Sequence, residues 1–190
     1  MRFSPYKVQT AQAEAYATKF QTEDISQKIE SSMRVAILTI SDSVSRGTHK
    51  DASGPDLRAR CERLSWDVVS TEILPDDPWT IRDRLMSLAD TNTADLILTT
   101  GGTGIGPRDS TPEATMEACH KLLPGISELM REEGRKKTPR AALSRAVAGV
   151  RGRTLIVNLP GSPRGAVESF DAIADLLPHA IQVLGGARHD

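Results

Sequence analysis

Cysteine, aromatic side chains and long apolar runs are all scarce in this chain of 190 residues. Its two cysteines, Cys61 and Cys119, are too few and too far apart for a disulfide framework or a zinc ribbon. His120 follows Cys119 directly, and adjacent side chains on a helix point apart, so we expect no metal site there. No apolar run approaches the ~20 residues that span a bilayer, and no signal-peptide core is visible. We therefore expect a cytoplasmic protein without a membrane partner.

An excess of charge of one sign is also lacking. Charged residues make up 26% of the chain, yet the formal net charge is -1. Such a chain has no overall basic field that would attract nucleic acid or an anionic membrane. We expect no nucleic-acid partner, and any site for an anion must be local.

The motifs of three common catalytic classes are missing as well. The glycine-rich stretch at residues 99–115 lacks the lysine of a P-loop. It also fails the dinucleotide-binding pattern, because Pro107 replaces the third glycine. No Gly-x-Ser-x-Gly nucleophile elbow occurs, and no histidine follows a predicted strand beside a serine partner. Backbone N–H groups and carboxylates are therefore the groups left to act on a ligand.

The hydrophobic pattern that is present predicts an α/β fold. Apolar runs of strand length alternate with helical segments, and Asp77-Pro78 and Thr111-Pro112 both resemble an N-cap followed by a first-turn proline. This alternation predicts a three-layer αβα sandwich around a mostly parallel sheet, with a small antiparallel hairpin connected through residues 150–153. The predicted strands are 34–40, 68–74, 95–100 and 154–159, with 146–148 in the hairpin, and the last helical region is 163–184, with Phe170, Ile173, Leu176 and Leu177 facing inward.

The composition changes near residue 33. Residues 1–32 contain few branched aliphatic side chains, although Tyr16 and Phe20 belong to a weak helical stripe. We interpret this segment as an N-terminal extension, either a mobile tail or a helix that docks on this or a neighbouring subunit. Residues 33–190 are then predicted to form one domain.

Polar residues follow the predicted strands at their carboxyl ends, where open α/β sheets bind ligands. Four such groups occur, and together they supply amides, hydroxyls and carboxylates. Backbone amides hold phosphate oxygens and aspartates hold Mg²⁺, so this set favours phosphoryl or nucleotidyl transfer. The groups are Ser41 and Asp42, Asp76 and Asp77, residues 101–110 and residues 158–162.

Several of these motifs together resemble one known family. TTGGTG at 99–104 continues through PRD at 107–109 and TPEAT at 111–115, and ISDS, LPDD and NLPGSP begin at residues 40, 74 and 158. This ordered set strongly resembles the molybdopterin-binding MoaB/Mog family, whose relatives include the G domains of gephyrin and of the plant molybdenum-insertion protein. The resemblance covers about residues 34–184.

The resemblance implies a role in molybdenum cofactor biosynthesis: Mg-ATP-dependent adenylylation of molybdopterin, which yields adenylylated molybdopterin and pyrophosphate. It assigns Asp76 and Asp109 to catalysis and to Mg²⁺, with ATP as co-substrate. It also implies a homotrimer or hexamer and a molybdenum-insertion protein as a downstream partner. The implied substrate-binding residues are Ser41, Asp42, Gly101, Gly102, Thr103, Gly104, Ser110, Pro160, Gly161 and Ser162.

Other interpretations of the same residues stay open at this point. Asp109 would also suit a purely structural role in its loop, Asp42 could simply start a turn, and Ser162 could belong to a tight strand-to-helix connection. The basic cluster at residues 131–140 is either an attraction site for an anion or a solvated helix face. The alternative function is a molybdopterin-binding protein without adenylyl transfer.

Overall fold

A computed structural model of the chain describes residues 32–186. The predictions for residues 1–31 lie outside these residues, and the boundary near residue 33 stays a prediction. The strands are β1 Arg34–Ile40, β2 Asp67–Leu74, β3 Leu96–Thr100, β4 Lys121–Leu122, β5 Ala148–Arg151 and β6 Thr154–Leu159. The α-helices are α1 Asp42–Ser45, α2 Ser53–Arg63, α3 Pro78–Asp90, α4 Thr111–Ala118, α5 Pro124–Arg135, α6 Pro163–Asp171 and α7 Leu177–Leu184, and two 3₁₀ helices span Pro139–Leu143 and Ala174–Leu176.

The described strands form one six-stranded sheet in the order β2-β1-β3-β6-β5-β4. β1 pairs in parallel with β2 and β3, and β3 pairs in parallel with β6. β5 runs antiparallel to both β6 and β4. The predicted mostly parallel sheet with an antiparallel hairpin is thus confirmed, and β4 is an addition to it. The hairpin turn is shorter than predicted, because Arg151 pairs with Thr154 and leaves only two residues between the strands.

Helices cover both faces of the sheet, which confirms the three layers. Alternate residues of β1 belong to two separate buried clusters, as the two-residue period of a strand requires. Val35 and Ile37 pack with α2, α5 and α6, whereas Ala36 and Leu38 pack with α3 and α4. β1 is therefore almost wholly apolar, as a strand covered on both faces must be.

The helix starts confirm one local prediction and contradict two others. Asp77 caps α3 as predicted, since its side chain accepts a hydrogen bond from the Thr80 N–H. The prediction for α4 was wrong by one residue: Ser110 holds the N-cap position, and Thr111 is a buried first helical residue. Leu176 was predicted to face inward but is 48% exposed, because a 3₁₀ helix changes the angular spacing before α7 begins.

Among residues 32–186, no helix combines the length and apolar character that crossing a membrane demands.

Candidate active site

Four loops meet at one edge of the sheet because β2, β1, β3 and β6 are mutually parallel. Their carboxyl ends carry the polar groups that the sequence analysis identified. Two hydrogen bonds join loops that are distant in sequence: the Asp42 N–H donates to Asp76 Oδ2 at 2.8 Å, and the Thr100 hydroxyl donates to the Pro160 carbonyl at 2.7 Å. The predicted convergence on one edge is therefore present in the fold.

Residues 101–110, called the glycine loop here, begin with a residue fixed by packing. Gly101 has φ +109°, and a Cβ there would overlap the Ile40 carbonyl oxygen. Its N–H donates to the Leu159 carbonyl at 3.2 Å. Its amide is therefore engaged by the fold, and the expectation that it holds a phosphate is corrected: Gly101 allows β1 and the glycine loop to approach each other.

The next amides of the glycine loop are different. The N–H groups of Gly102, Thr103 and Gly104 donate to no acceptor in the described part of the chain. Gly102 has φ +62°, and a Cβ there would overlap the Thr111 hydroxyl. Consecutive free amides in a loop that leads into a helix N-terminus form the kind of concavity that binds anions.

The carboxylates of Asp42 and Asp76 each accept a hydrogen bond from the backbone N–H of the other residue. Asp76 Oδ2 accepts the Asp42 N–H, and the Asp76 N–H donates to Asp42 Oδ1 at 3.1 Å. Asp42 Oδ2 is bound by the guanidinium of Arg108 at 2.9 Å, and this bond holds the pKa of Asp42 below its usual range. Both Asp42 oxygens are thus occupied by protein donors, whereas Asp76 Oδ1 accepts no hydrogen bond from the described residues and lies near Gly102.

Asp109 folds back over the glycine loop. Its Oδ2 accepts the Gly106 N–H at 2.7 Å, so this aspartate does stabilise the loop. It does not pair with Arg108, which turns to Asp42 instead. Ser110 follows at the N-cap of α4, but its hydroxyl is buried without a partner and does not cap the helix.

A first cavity of about 450 Å³ opens between the loops after β1, β2 and β3. We call it the acidic cavity, because Asp51, Asp76 and Asp109 contribute to its wall together with Lys50. Asp51 is anchored by the Thr39 hydroxyl at 2.8 Å and by the Gly54 N–H at 3.1 Å. The lining of the acidic cavity also includes Ser41, Gly101, Gly102 and Gly161 from the predicted substrate-binding set.

A second cavity of about 400 Å³ lies on the other side of the glycine loop. We call it the arginine cavity, because Arg131 and Arg140 line it together with apolar side chains such as Met130 and Leu143. The basic cluster is thus divided: these two arginines face the cavity, whereas Lys136 is paired with Glu133. The lining of the arginine cavity includes Thr103, Gly104, Pro160, Gly161 and Ser162 from the predicted substrate-binding set.

Gly102, Asp109 and Gly161 line both cavities. The two cavities therefore share a wall built from the glycine loop and the loop after β6. A Cβ at Gly161 would lie 3.1 Å from the Gly101 Cα, so the two loops touch at this wall. The structure brings Asp76 and Asp109 to the acidic cavity, and it leaves Asp42 and Ser110 outside the lining of both.

The donor set of the acidic cavity suits a hard cation that is shared with a ligand. Mg²⁺ prefers oxygen and is often held by one or two carboxylates together with substrate phosphates. Asp76 and Asp109 line the same cavity and would supply those carboxylates. Within residues 32–186, no group of three or more His, Cys, Asp and Glu side chains is placed to hold a metal without such a ligand.

Three residues of this edge were not among the predicted site residues. Asp51 and Lys50 precede α2 and line the acidic cavity. Arg145 binds the carbonyls of Gly104 and Asp109. Its sequence neighbours give no sign of this, because its partners lie about 40 positions earlier in the chain.

Comparisons with known proteins agree with this geometry. Residues 36–179 match the family described as a probable molybdopterin binding domain. The chain is 38% identical over 159 residues to the molybdopterin adenylyltransferase of Helicobacter pylori strain J99, covering 81% of this chain and 89% of that protein. It is 43% identical over 155 residues to the molybdenum cofactor synthesis protein cinnamon of Drosophila melanogaster, covering 81% of this chain but only 26% of that protein.

A solved structure is similar in the same region. The crystal structure of the molybdopterin biosynthesis enzyme MoaB from Thermus thermophilus superposes with a TM-score of 0.75 at 50% identity, covering 83% of this chain and 99% of that one. The family match spans most of the described residues and includes all four loops of the candidate site. This chain therefore belongs to the family of the probable molybdopterin binding domain.

Proposed function

We propose that this protein is a molybdopterin adenylyltransferase that acts in molybdenum cofactor biosynthesis with Mg-ATP as co-substrate. The observation that carries the proposal is the pair of cavities with a common wall at Gly102, Asp109 and Gly161. A transfer between two ligands needs two compartments that meet at the reacting atoms. The relatives that bear this activity in their names match 81% of this chain.

The reaction forms one bond and breaks one bond. A terminal phosphate oxygen of molybdopterin attacks the α-phosphorus of ATP, and a new P–O bond forms. The bond between that phosphorus and the oxygen that bridges to the β-phosphate breaks, and pyrophosphate leaves with the electron pair. In this direct transfer the protein forms no covalent bond to the substrate, so catalysis depends mainly on positioning the reactants and neutralising their charge.

The chain offers groups for both tasks. The free amides of Gly102, Thr103 and Gly104 would hold phosphate oxygens at the common wall. The N-terminus of α6 faces the same edge and adds a partial positive charge. Lys50 would neutralise phosphate charge in the acidic cavity, and Arg131 would do so in the arginine cavity.

The carboxylates complete the acidic cavity. When bound, Mg²⁺ supplies neutralisation of phosphate charge as the bond to the leaving group breaks. Asp76 and Asp109 are the residues that would hold it, because both line the cavity. We assign ATP to the acidic cavity for this reason, and molybdopterin to the arginine cavity, whose apolar side chains suit a pterin ring.

Within the predicted substrate-binding set, we retain Ser41, Pro160, Gly161 and Ser162 as cavity-lining contacts. Ser110 is retained as well, because its buried hydroxyl has no partner. Asp42 has both oxygens engaged and would act through Asp76.

The proposal includes three further features, of which the first and third rest on the family resemblance and the second on the sequence. These are assembly into a homotrimer or hexamer, a cytoplasmic location and delivery of the product to a molybdenum-insertion protein. Sedimentation equilibrium of the full chain measures the first of them directly.

The decisive experiment incubates the protein with molybdopterin, ATP and Mg²⁺ and detects adenylylated molybdopterin and pyrophosphate by mass spectrometry. The expected result is one pyrophosphate for each adenylylated pterin, and no product when Mg²⁺ is chelated. Binding of molybdopterin without either product would overturn the proposal and select the binding protein without transfer activity.

A further inference from the structure

Arg145 lies between the first 3₁₀ helix and β5, yet its hydrogen bonds reach the glycine loop and α4. Its backbone N–H donates to the Thr103 carbonyl at 2.9 Å. Its Nε donates to the Gly104 carbonyl at 2.6 Å, and its Nη2 donates to the Asp109 carbonyl at 2.7 Å. Its Nη1 is bound to the Glu113 carboxylate at the start of α4. One residue therefore holds two separate parts of the glycine loop, Thr103 with Gly104 and Asp109.

These contacts determine where the loop amides point. In a trans peptide, the C=O of one residue and the N–H of the next point in opposite directions, and the described chain contains no cis peptide. Because Arg145 draws the carbonyls of Thr103, Gly104 and Asp109 towards itself, the following N–H groups point away from it. Those N–H groups belong to Gly104, Ile105 and Ser110, and none of them donates to an acceptor within residues 32–186.

We infer that Arg145 is a positioning residue that orients peptide planes of the glycine loop so that the free amides at Gly104 and Ile105, beside the arginine cavity, face a phosphate ligand. The inference deepens the proposed function, and its kinetic part rests on that function. Arg145 itself need not touch the ligand, because its charge is already paired with Glu113. The planar fork of a guanidinium can bind two carbonyls and a carboxylate together, whereas a lysine ammonium presents one point charge on a flexible stem.

The test compares Arg145→Lys with Arg151→Lys. Arg151 is a matched control because it also binds a carboxylate and a backbone carbonyl, those of Asp90 and Ala118, and lies at the opposite edge of the sheet. We expect Arg145→Lys to raise KM for molybdopterin, because Gly104 lines the arginine cavity, and to lower kcat, with a combined loss of about 100-fold in kcat/KM. We expect Arg151→Lys to leave both constants close to those of the wild type.

A change in KM as well as in kcat in Arg145→Lys would exclude a merely structural role. A substitution that only unfolds part of the sample lowers the apparent kcat through the active fraction and leaves KM unchanged. An unchanged KM for molybdopterin in Arg145→Lys would therefore overturn the inference. If Arg145→Lys does not fold, as judged by its melting temperature, Arg145→Gln replaces it, since one side-chain amide can still bind one carbonyl.

A second readout does not depend on turnover. The amides of Gly106, Asp109 and Thr111 donate hydrogen bonds within the loop region, to Asp109 Oδ2, Gly106 O and Gly102 O. Hydrogen–deuterium exchange at these amides should be faster in Arg145→Lys than in the wild type and unchanged in Arg151→Lys. Equal exchange in all three proteins would reject the positioning role. If the wild type forms no adenylylated product, the proposed function fails, and the exchange measurement still decides the role of Arg145.

Discussion

The two edges of the parallel sheet contain the same types of charged residue but use them in opposite ways. At the amino edge, Arg34 donates to Asp95 through its N–H, Nε and Nη2 groups and to the Asn92 carbonyl through Nη1. Arg151 binds both carboxylate oxygens of Asp90 at 2.8 Å. The donors and acceptors of these side chains bind other parts of the protein, and these hydrogen bonds connect strands to helices.

At the carboxyl edge, several donors and acceptors have no hydrogen-bond partner among the described residues. Asp76 Oδ1 and Asp109 Oδ1 accept no hydrogen bond within residues 32–186, and the amides of Gly102 and Gly104 donate none. The Ser110 hydroxyl is buried without a partner. Buried or enclosed polar groups without partners are costly, so this edge is expected to gain most from a ligand. Residue type alone does not distinguish the edges, whereas unused donors and acceptors do.

The strongest test of this contrast substitutes one aspartate at each edge. Asp109→Asn removes a negative charge at the wall between the two cavities. We expect adenylyl transfer to fall about 1,000-fold, with a smaller change in ATP affinity, because the carboxylate acts mainly on the transition state. Asp90→Asn at the amino edge should leave the rate unchanged. Steady-state kinetics and nucleotide titration check both, and equal losses of rate and affinity in Asp109→Asn would indicate a purely structural aspartate.

The second test concerns the glycines of the two edges. Gly101→Ala places a Cβ against the Ile40 carbonyl at φ +109°, and we expect it to lower the free energy of unfolding by about 3 kcal/mol. Gly152 in the β5–β6 turn also has positive φ, +57°, but a Cβ there meets nothing within 4 Å. Gly152→Ala should therefore cost only about 1 kcal/mol. Urea denaturation measures both, and similar losses would show that close packing at Gly101 contributes little.

The sequence predicted the carboxyl edge well because its signals are local. Strand-length apolar runs end on polar loops, and parallel strands bring those loops together whatever the details of packing. Asp77 could be identified as a cap from its own neighbours, and the structure places it there. The family motifs cover the same loops, so both kinds of inference indicated one site.

Features that depend on distant partners were missed. β4 has two residues, Lys121 and Leu122, and so short an edge strand has no periodic signal of its own. The role of the Gly101 amide depends on Leu159, and the contacts of Arg145 depend on the glycine loop. No pattern within a short window encodes such pairs, so only the folded chain reveals which amides are free.

A third test removes a paired arginine from the amino edge. Arg34→Met breaks the 2.7 Å ion pair with Asp95, whose side chain is three-quarters buried. We expect the free energy of unfolding to fall by about 1–2 kcal/mol while adenylyl transfer stays at the wild-type rate. Arg58→Met is the matched control, because the Arg58–Glu62 pair on α2 is about half exposed and such pairs contribute about 0.3–0.5 kcal/mol. A loss of activity in Arg34→Met would contradict the separation of the two edges.

The smallest expected effect is a pH dependence of the other pair at the amino edge. The hydrogen bonds from Arg151 hold the pKa of Asp90 below its usual value. A carboxyl group whose pKa is lowered by folding stabilises the folded state above its unfolded pKa of about 3.9, and this contribution disappears as the pH falls through the folded pKa. The melting temperature of Arg151→Met should thus lie below that of the wild type at pH 5, and the gap should narrow as the pH falls below about 3.9.

His120 also contacts Arg151, at 3.4 Å from Nη1. The measurements start at pH 5 and extend below about pH 3.9, where the contribution of Asp90 decreases. Differential scanning calorimetry of the wild type, Arg151→Met and Asp90→Asn over this range measures the effect. A gap that stays constant down to the lowest pH would mean that Arg151 stabilises the edge through its bond to the Ala118 carbonyl, and that the carboxylate of Asp90 contributes nothing.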